Sequence, residues 1–394
     1  MPILNSAHKM QAEAAAWRQW LHERPEIGFD LTQTEAFVAG KLEAFGCDEI
    51  VRGVGGSGIV AVIRGRLGDG PTIGLRSDMD ALPMLEDSSI PHASHEPGKM
   101  HACGHDGHMA MLLGAAKHLA ESRNFAGSVA VVFQPAEEIG QGALAMLGDG
   151  LIERFGISRM FGMHNMPGIP AGQFAMRHGA IMAAVAKFTI RIAGRGGHAA
   201  RPHFTIDPIV TGAQIIDALQ TIVARQADPV ASLVVTVTRV IAGTAYNIIP
   251  ETIEIWGTTR ALDMDDAAMA QRRIREICAG LATASGAQIE VDYDQAHPVT
   301  FNTPEEADFV AGIARDIAGT VDADVRPVMA GEDFSHMLNA RPGALVFIGN
   351  GDTPGLHHPA YDFDDEIIPA GISYWVRLVE AALTPPARTP EPHR

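Results

Sequence analysis

The sequence predicts an α/β chain built on a mixed, mostly parallel sheet with helices on both faces, interrupted by an inserted ferredoxin-like α+β domain. Three observations carry this. Short β-branched runs alternate with helical-period segments through residues 1–182. Acidic or metal-binding side chains recur where those runs end, which is the rim on which open α/β sheets place their sites. From 183 to 294 the character changes to amphipathic strands and two helices in the order βαββαβ. The larger domain is therefore expected at 1–182 and 295–394, with 183–294 as the insert.

Taken in order, Met10, Ala14, Trp17 and Leu21 keep a helical period that Pro25 stops. Thr32 opens a second helix, with Glu35 placed to close a capping box and Gly46 at its end. Apolar runs at 59–63 and 72–75 read as buried strands, and the second leads into Arg76, Ser77, Asp78, Met79 and Asp80, two carboxylates at a strand end. Met109, Leu112, Leu113, Ala116 and Leu119 mark a buried helix. Residues 129–133 form a strand ending in Gln-Pro-Ala-Glu-Glu, and 160–163 a short strand ending in His164. In the insert, Phe188, Ile190 and Ile192 alternate with Lys187, Thr189 and Arg191, a strand with one wet face. Helices at 208–226 and 265–285 and strands at 233–241, 252–259 and 288–293 complete it. Beyond lie a capping box at 303–306, a strand at 344–349 and Gly-Leu-His-His-Pro at 355–359. The last ten residues, rich in Pro and Arg, have the composition of a disordered tail.

Composition narrows the function. A chain of 394 residues, 46% hydrophobic, has room for a large core and two domains. Its formal charge of -17 opposes a phosphate backbone, which argues against nucleic acid or an anionic membrane and for a small-molecule partner. Cys47, Cys103 and Cys278 are odd in number and far apart, so no disulfide framework is implied. No signal peptide or membrane span is expected, and the chain reads as cytoplasmic.

Within this frame residues 101–108 read HACGHDGH, three histidines, a cysteine and an aspartate in eight positions. Thiolate and imidazole are the ligands that borderline-soft divalent ions prefer, and a loop entering a buried helix brings them to one point. Alone, such histidines cap a helix, Cys103 is a buried thiol, and Glu137 with Glu138 is a solvated loop. Their recurrence at one rim favours a metal.

Seven ordered blocks, covering nearly the whole chain, resemble the amidohydrolase branch of the M20 metallopeptidases. They are Ser-Asp-Met-Asp-Ala-Leu-Pro at 77–83, HACGHDGH at 101–108, Gln-Pro-Ala-Glu-Glu at 134–138, Gly-Met-His-Asn at 162–165, Gly-Arg-Gly-Gly-His-Ala-Ala-Arg-Pro-His at 194–203, Asn-Ile-Ile-Pro at 247–250 and Leu-His-His-Pro at 356–359. That branch holds hippurate hydrolases, N-acyl amino acid deacylases and auxin-conjugate hydrolases. The resemblance implies a two-metal catalytic domain with an inserted dimerisation or lid domain. It implies Cys103, His105, Glu138, His164 and His357 as ligands of two divalent ions, with Cys103 bridging and His357 rather than His358 completing the set. Glu137 would be the general base. His198 would reach across a homodimer to steady the oxyanion, Asn247 and Arg260 would hold the substrate carboxylate, and Asp80 and Asp106 would orient ligands from behind.

The chemistry agrees: two ions about 3.5–4 Å apart activate a bridging water and polarise an amide oxygen, while an unligated carboxylate moves the proton. In the wider family Asp usually bridges and His stands at the position of Asp78, so Cys103 and Asp78 mark the amidohydrolase branch. Zn, Mn, Ni and Co all accept such mixed ligands. The expected reaction is hydrolysis of the amide bond of N-acyl (acetyl, benzoyl or similar) amino acids. Alternatives are a metallo-dipeptidase or aminoacylase of the same fold and a catalytically silent metal or ligand binder, against which Glu137 argues. A thiol hydrolase, with Cys103 attacking and His105 as base, would survive metal removal.

Overall fold

The computed structural model describes residues 3–385. The expectation for the Pro- and Arg-rich tail falls outside that range but for Pro385. Helices α1 (Asn5–His22) and α2 (Thr32–Phe45) lead into strands β1 (Glu49–Val54), β2 (Gly58–Arg64) and β3 (Thr72–Asp78), followed by α3 (His105–Ser122), β4 (Ser128–Gln134), β5 (Ile157–Met166) and β6 (Phe174–Ala175). The middle of the chain forms β7 (Ala184–Ala193), α4 (Pro208–Arg225), β8 (Leu233–Ala242), β9 (Thr252–Ala261), α5 (Met264–Ser285) and β10 (Gln288–His297). The chain then runs through α6 (Pro304–Ala318), β11 (Val321–Asp322), β12 (Gly343–Gly349) and α7 (Ile368–Ala382). Two compact units result: the described residues up to Gly179 with Phe301–Arg326 and those from Asp333 onward, and Ala180–Thr300 with Pro327–Glu332.

The first unit holds an eight-stranded sheet in the order β1-β2-β4-β3-β5-β12-β6-β11. Four neighbouring pairs are parallel, β4 with β3, β3 with β5, β5 with β12 and β6 with β11, against three antiparallel ones. Every residue of β12 is buried, as are all but the first of β4, so both faces of the central strands are covered. That is why they read as continuous apolar runs. Trp17, Leu21, Leu112, Leu119, Phe133, Phe161, Val346 and Trp375 join one hydrophobic core.

Neither expected capping box forms: at α2 a better acceptor takes its place, and at α6 both of its side chains are engaged elsewhere. At α2 the carboxylate of Glu26 accepts from the backbone amides of Gln33 (3.0 Å) and Thr34 (2.8 Å), while Glu35 pairs with Arg52 (3.0 Å). One carboxylate satisfies two open amides where a threonine hydroxyl satisfies one. At α6 the Thr303 hydroxyl accepts from Gly343 N (3.4 Å), and Glu306 pairs with Arg159 instead of reaching back. The edge strand β1 has too little apolar periodicity to be foreseen; three of its six residues are exposed and only one is buried.

The second unit holds an antiparallel sheet in the order β10-β7-β9-β8, the ferredoxin-like arrangement. Ile215, Leu219 and Ile222 of α4 and Ile274 and Cys278 of α5 pack against Phe188, Ile190, Ile192 and Ile255. The opposite side of β7 carries Lys187 and Arg191, both exposed, so the predicted alternation is the observed one. Strand β8 forms an edge, with Val240 49% and Ile241 43% exposed. Among the described residues no helix is long and apolar enough to cross a membrane.

Candidate metal centre

Strands β4, β3, β5 and β12 lie side by side and parallel, so their carboxyl ends share one edge of the sheet. That edge gathers the metal-binding residue types. Asp78 ends β3 and Asp80 follows it; Glu137 and Glu138 follow β4; His164 lies near the end of β5; His357 lies in the segment after β12. Cys103 and Gly104 lead directly into His105, the first residue of α3.

The donor atoms converge. Cys103 Sγ lies 3.5 Å from His164 Nε2. His105 Nε2 lies 3.9 Å from Glu138 Oε1 and 4.0 Å from Glu137 Oε2, and His357 Nε2 lies 3.6 Å from Glu138 Oε2. Cys103 belongs to two triplets, one with His105 and His164 and one with Glu138 and His357, each with its donor atoms within 4.8 Å of one another. Of the adjacent histidines, His357 is the one that meets Glu138; His358 Nδ1 accepts from Ala360 N (3.0 Å).

Hydrogen bonds fix the tautomers. His105 Nδ1 lies 2.8 Å from the Asp80 carbonyl and His164 Nδ1 2.6 Å from the Asn165 carbonyl; carbonyls only accept, so in each ring the proton sits on Nδ1 and Nε2 presents its lone pair. His105 Nε2 is buried and has no hydrogen-bond partner among the described residues, yet carboxylate oxygens of Asp78, Glu138 and Glu137 stand 3.6–4.0 Å away. Burial also pushes the His105 imidazole well below its ordinary pKa, which favours the neutral ring. Imidazole nitrogens presented through Nε2, a buried sulfur and carboxylates gathered on one edge fit a divalent cation with mixed N, S and O donors.

The remaining residues of the motif have other duties. His108 Nε2 accepts from Asn165 N (2.9 Å) and its Nδ1 donates to Asp78 Oδ1 (2.7 Å), so both ring nitrogens are spent. Asp80 lies behind the Glu137–Glu138 turn: its two oxygens accept from the backbone amides of Glu137 (2.9 Å) and Glu138 (3.2 Å), which sets the turn that carries both glutamates. Burial, aided by Asp78, pushes the Asp80 carboxyl up to about 8 against the pull of those amides. Asp106, expected in the same role, instead puts Oδ2 2.8 Å from His22 Nδ1 and 3.6 Å from Arg18 Nη1. One step along a helix turns a side chain by about 100°, so Asp106 ties α3 to α1 while His105 faces the cluster of donor atoms.

Further supports were not singled out from sequence. Buried Arg76 donates to Gln134 Oε1 (2.9 Å), Asp78 Oδ2 (2.8 Å) and Asp333 Oδ1 (3.2 Å), pinning the ends of β3 and β4. The available signal was a charged pair inside an otherwise apolar strand. Gly104 has φ +84°, and a Cβ there would come within 2.2 Å of Asn165 Nδ2. Ala136 (φ 54°) and His357 (φ 63°), both in the left-handed region, flank Glu137 and carry a predicted ligand, respectively.

In the second unit His198 is exposed and pairs with Ile248 in a short two-stranded sheet. Its Nδ1 accepts from Ala200 N (3.1 Å), which leaves the ring proton on Nε2. Asn247 is exposed, and its carbonyl accepts from Ala199 N (3.1 Å). Arg260 is half-buried and hydrogen-bonds Thr258 Oγ1 and the Thr259 carbonyl (3.0 Å).

The profile of Peptidase family M20/M25/M40 matches residues 74–381. A hippurate hydrolase from Campylobacter jejuni is 40% identical over 380 residues, 96% of this chain and 98% of its own. An N-acetylcysteine deacetylase from Bacillus subtilis is 37% identical over 93% of this chain and 96% of its own. The crystal structure of a Bacillus subtilis protein described as a dinuclear metal-binding peptidase of the M20 family superposes with TM-score 0.84 at 34% identity, covering 95% of this chain and 99% of that one. With its sheet edge lined by metal-binding side chains and likeness along nearly all its length, the chain belongs to Peptidase family M20/M25/M40.

Proposed function

We propose that this protein is a metal-dependent amidohydrolase that cleaves the amide bond of N-acyl amino acids, using two divalent ions held by Cys103, His105, Glu138, His164 and His357. The observation that carries the reading is the membership of Cys103 Sγ in two donor triplets, which suits a thiolate shared by two ions. The relatives' names, a hippurate hydrolase and an N-acetylcysteine deacetylase, support the substrate class. Zn, Mn, Co and Ni all suit the donor set.

When bound, such ions lower the pKa of a water and polarise the amide oxygen. Glu137 would take the proton from the attacking water and return it to the leaving amine; Asp80 holds its backbone amide at the turn that carries it. Arg260 is half-buried with only neutral hydrogen-bond partners among the described residues, which suits a guanidinium that waits for the substrate carboxylate, and Asn247 serves as a second donor to that group. His198, with its proton on Nε2, serves as the oxyanion donor in the partner subunit's site of a homodimer. The exposed apolar edge at Val240 and Ile241 supports such an assembly, because an uncovered edge of this kind favours pairing with another chain. Cys47, Cys103 and Cys278 are free thiols, consistent with a reducing compartment, the cytoplasm.

The test is a panel of N-acetyl and N-benzoyl amino acids and dipeptides, with Zn, Mn, Co and Ni returned separately to metal-stripped protein. N-acyl amino acids are expected to turn over only with metal. Activity that survives complete chelation would overturn the metal reading, and faster turnover of dipeptides would move the protein to the dipeptidase class.

A further inference from the structure

We propose that Asn165 is a positioning residue that sets the spacing of Cys103 and His164 and thereby the affinity and geometry of the thiolate-bound metal, without being a ligand itself. The proposal rests on the two-metal reading above.

Asn165 is fully buried near the end of β5, and all its polar groups are used. Its carbonyl accepts from His164 Nδ1 (2.6 Å), which turns Nε2 of that ring toward Cys103. Its backbone amide donates to His108 Nε2 (2.9 Å). Its side-chain Nδ2 donates to the Cys103 carbonyl (2.6 Å) and lies 3.0 Å from His108 Nε2, while its Oδ1 accepts from the Tyr361 hydroxyl (2.6 Å). A flipped amide would set Oδ1 against the Cys103 carbonyl, oxygen to oxygen, so the side chain has one orientation.

One residue therefore holds the backbone of one predicted ligand and the ring of another. The absence of a side chain at Gly104 lets the amide lie against the backbone between Cys103 and His105. Tyr361 lies four positions beyond His357, whose own amide donates to the Ala102 carbonyl (2.8 Å). The carbonyls of Ala102 and Cys103 are thus each tied, and the cysteine loop cannot shift without breaking one of these bonds. Hydrogen-bond partners behind metal ligands are typically worth about 10–100-fold in metal affinity.

The experiment titrates metal-stripped protein with Co(II) and follows the near-ultraviolet charge-transfer band of a cobalt-bound thiolate. The parent should show the band, and Cys103→Ser should lose it. Tyr361→Phe, which keeps the ring but frees the amide, should weaken Co(II) binding about 10-fold and shift the band. Asn165→Asp, which sets an oxygen against the Cys103 carbonyl, should weaken it about 100-fold. Should Asn165→Asp fail to unfold cooperatively in urea, Tyr361→Phe decides. Affinity within twofold of the parent together with an unchanged band overturns the proposal, even if the unfolding midpoint drops, because a merely structural role moves the midpoint alone. A parent without the band, or a band that persists in Cys103→Ser, refutes Cys103 as a metal ligand in the proposed function and the present proposal with it.

Discussion

Replacing Asp80 by Asn tests how much of the site is built by the turn at Glu137 and Glu138. Both Asp80 oxygens accept backbone amides, at 2.9 and 3.2 Å, and an asparagine keeps one acceptor while presenting N–H to the other amide. A hydrogen bond to a charged group is worth about 1.5–3 kcal/mol, and a buried donor left unpaired costs about 1–3 kcal/mol. Working the other way, burial raises the Asp80 pKa to about 8, so above that pH, where the group is ionised, removing the charge relieves part of the cost of holding it there. The net loss in metal-free protein should be small, about 1–2 kcal/mol by urea unfolding. Metal binding has no such relief. The displaced amide turns Glu138 away from His105 and His357, and Zn(II) affinity should fall by about 10–100-fold in a competition titration. Affinity within twofold of the parent would show that the turn holds itself and that Asp80 does not shape it.

Cys103→Asp should retain activity and shift preference toward harder ions such as Mn(II), while Cys103→Ala should lose a metal by elemental analysis; equal metal content in Cys103→Ala and parent refutes the bridge. Glu137→Gln should keep its metal yet lose about two to four decades in kcat, and His198→Ala should lose about two to three. Mixing the two variants under conditions of demonstrated subunit exchange should restore activity, since one mixed site has its own Glu137 and His198 of the partner subunit; exchange without recovery rules out action in trans. His22 supplies the pH dependence: burial alone would lower its pKa, but the charge and hydrogen bond of Asp106 outweigh it and raise it from 6.5 to about 9. The folded state therefore binds the proton more tightly, so this stability is complete below 6.5 and is lost as pH rises through about 9, roughly 3 kcal/mol in all. Urea midpoints of metal-free protein should fall across that window, and Asp106→Asn should flatten the fall; an equally steep fall in the variant refutes the pairing.

The elements legible in the sequence are those whose burial leaves a periodic trace. The central strands appear as unbroken apolar runs because both faces are covered, and β7 appears as an alternation because one face is wet. The two capping boxes misled because Glu26 and Arg159 compete from a distance, and no local pattern records that. In the site, residue type and adjacency pointed to Cys103, His105 and the glutamate pair. The division of labour between His105 and His108 of α3, one presenting a lone pair and one fully engaged, depends on an amide of Asn165 contributed by strand β5. The turning away of Asp106 toward His22 likewise lies beyond motif spacing, since packing of α1 on α3 brings the two together.

The order of strands in the large sheet has a consequence for how the chain is made. β12 lies between β5 and β6, with β5 and β6 both synthesised before the insert and β12 only after it. The strands and helices of the inserted sheet, by contrast, are continuous in sequence from β7 to β10, so they can collapse as soon as they emerge from the ribosome. Until β12 arrives, β5 has an open hydrogen-bonding edge, and the rim that brings the site together is missing one of its strands. Completion of the larger unit is thus a late, long-range event, and truncation or slow elongation beyond the insert should leave a nascent chain with one finished domain and one adhesive sheet edge for chaperones to shield.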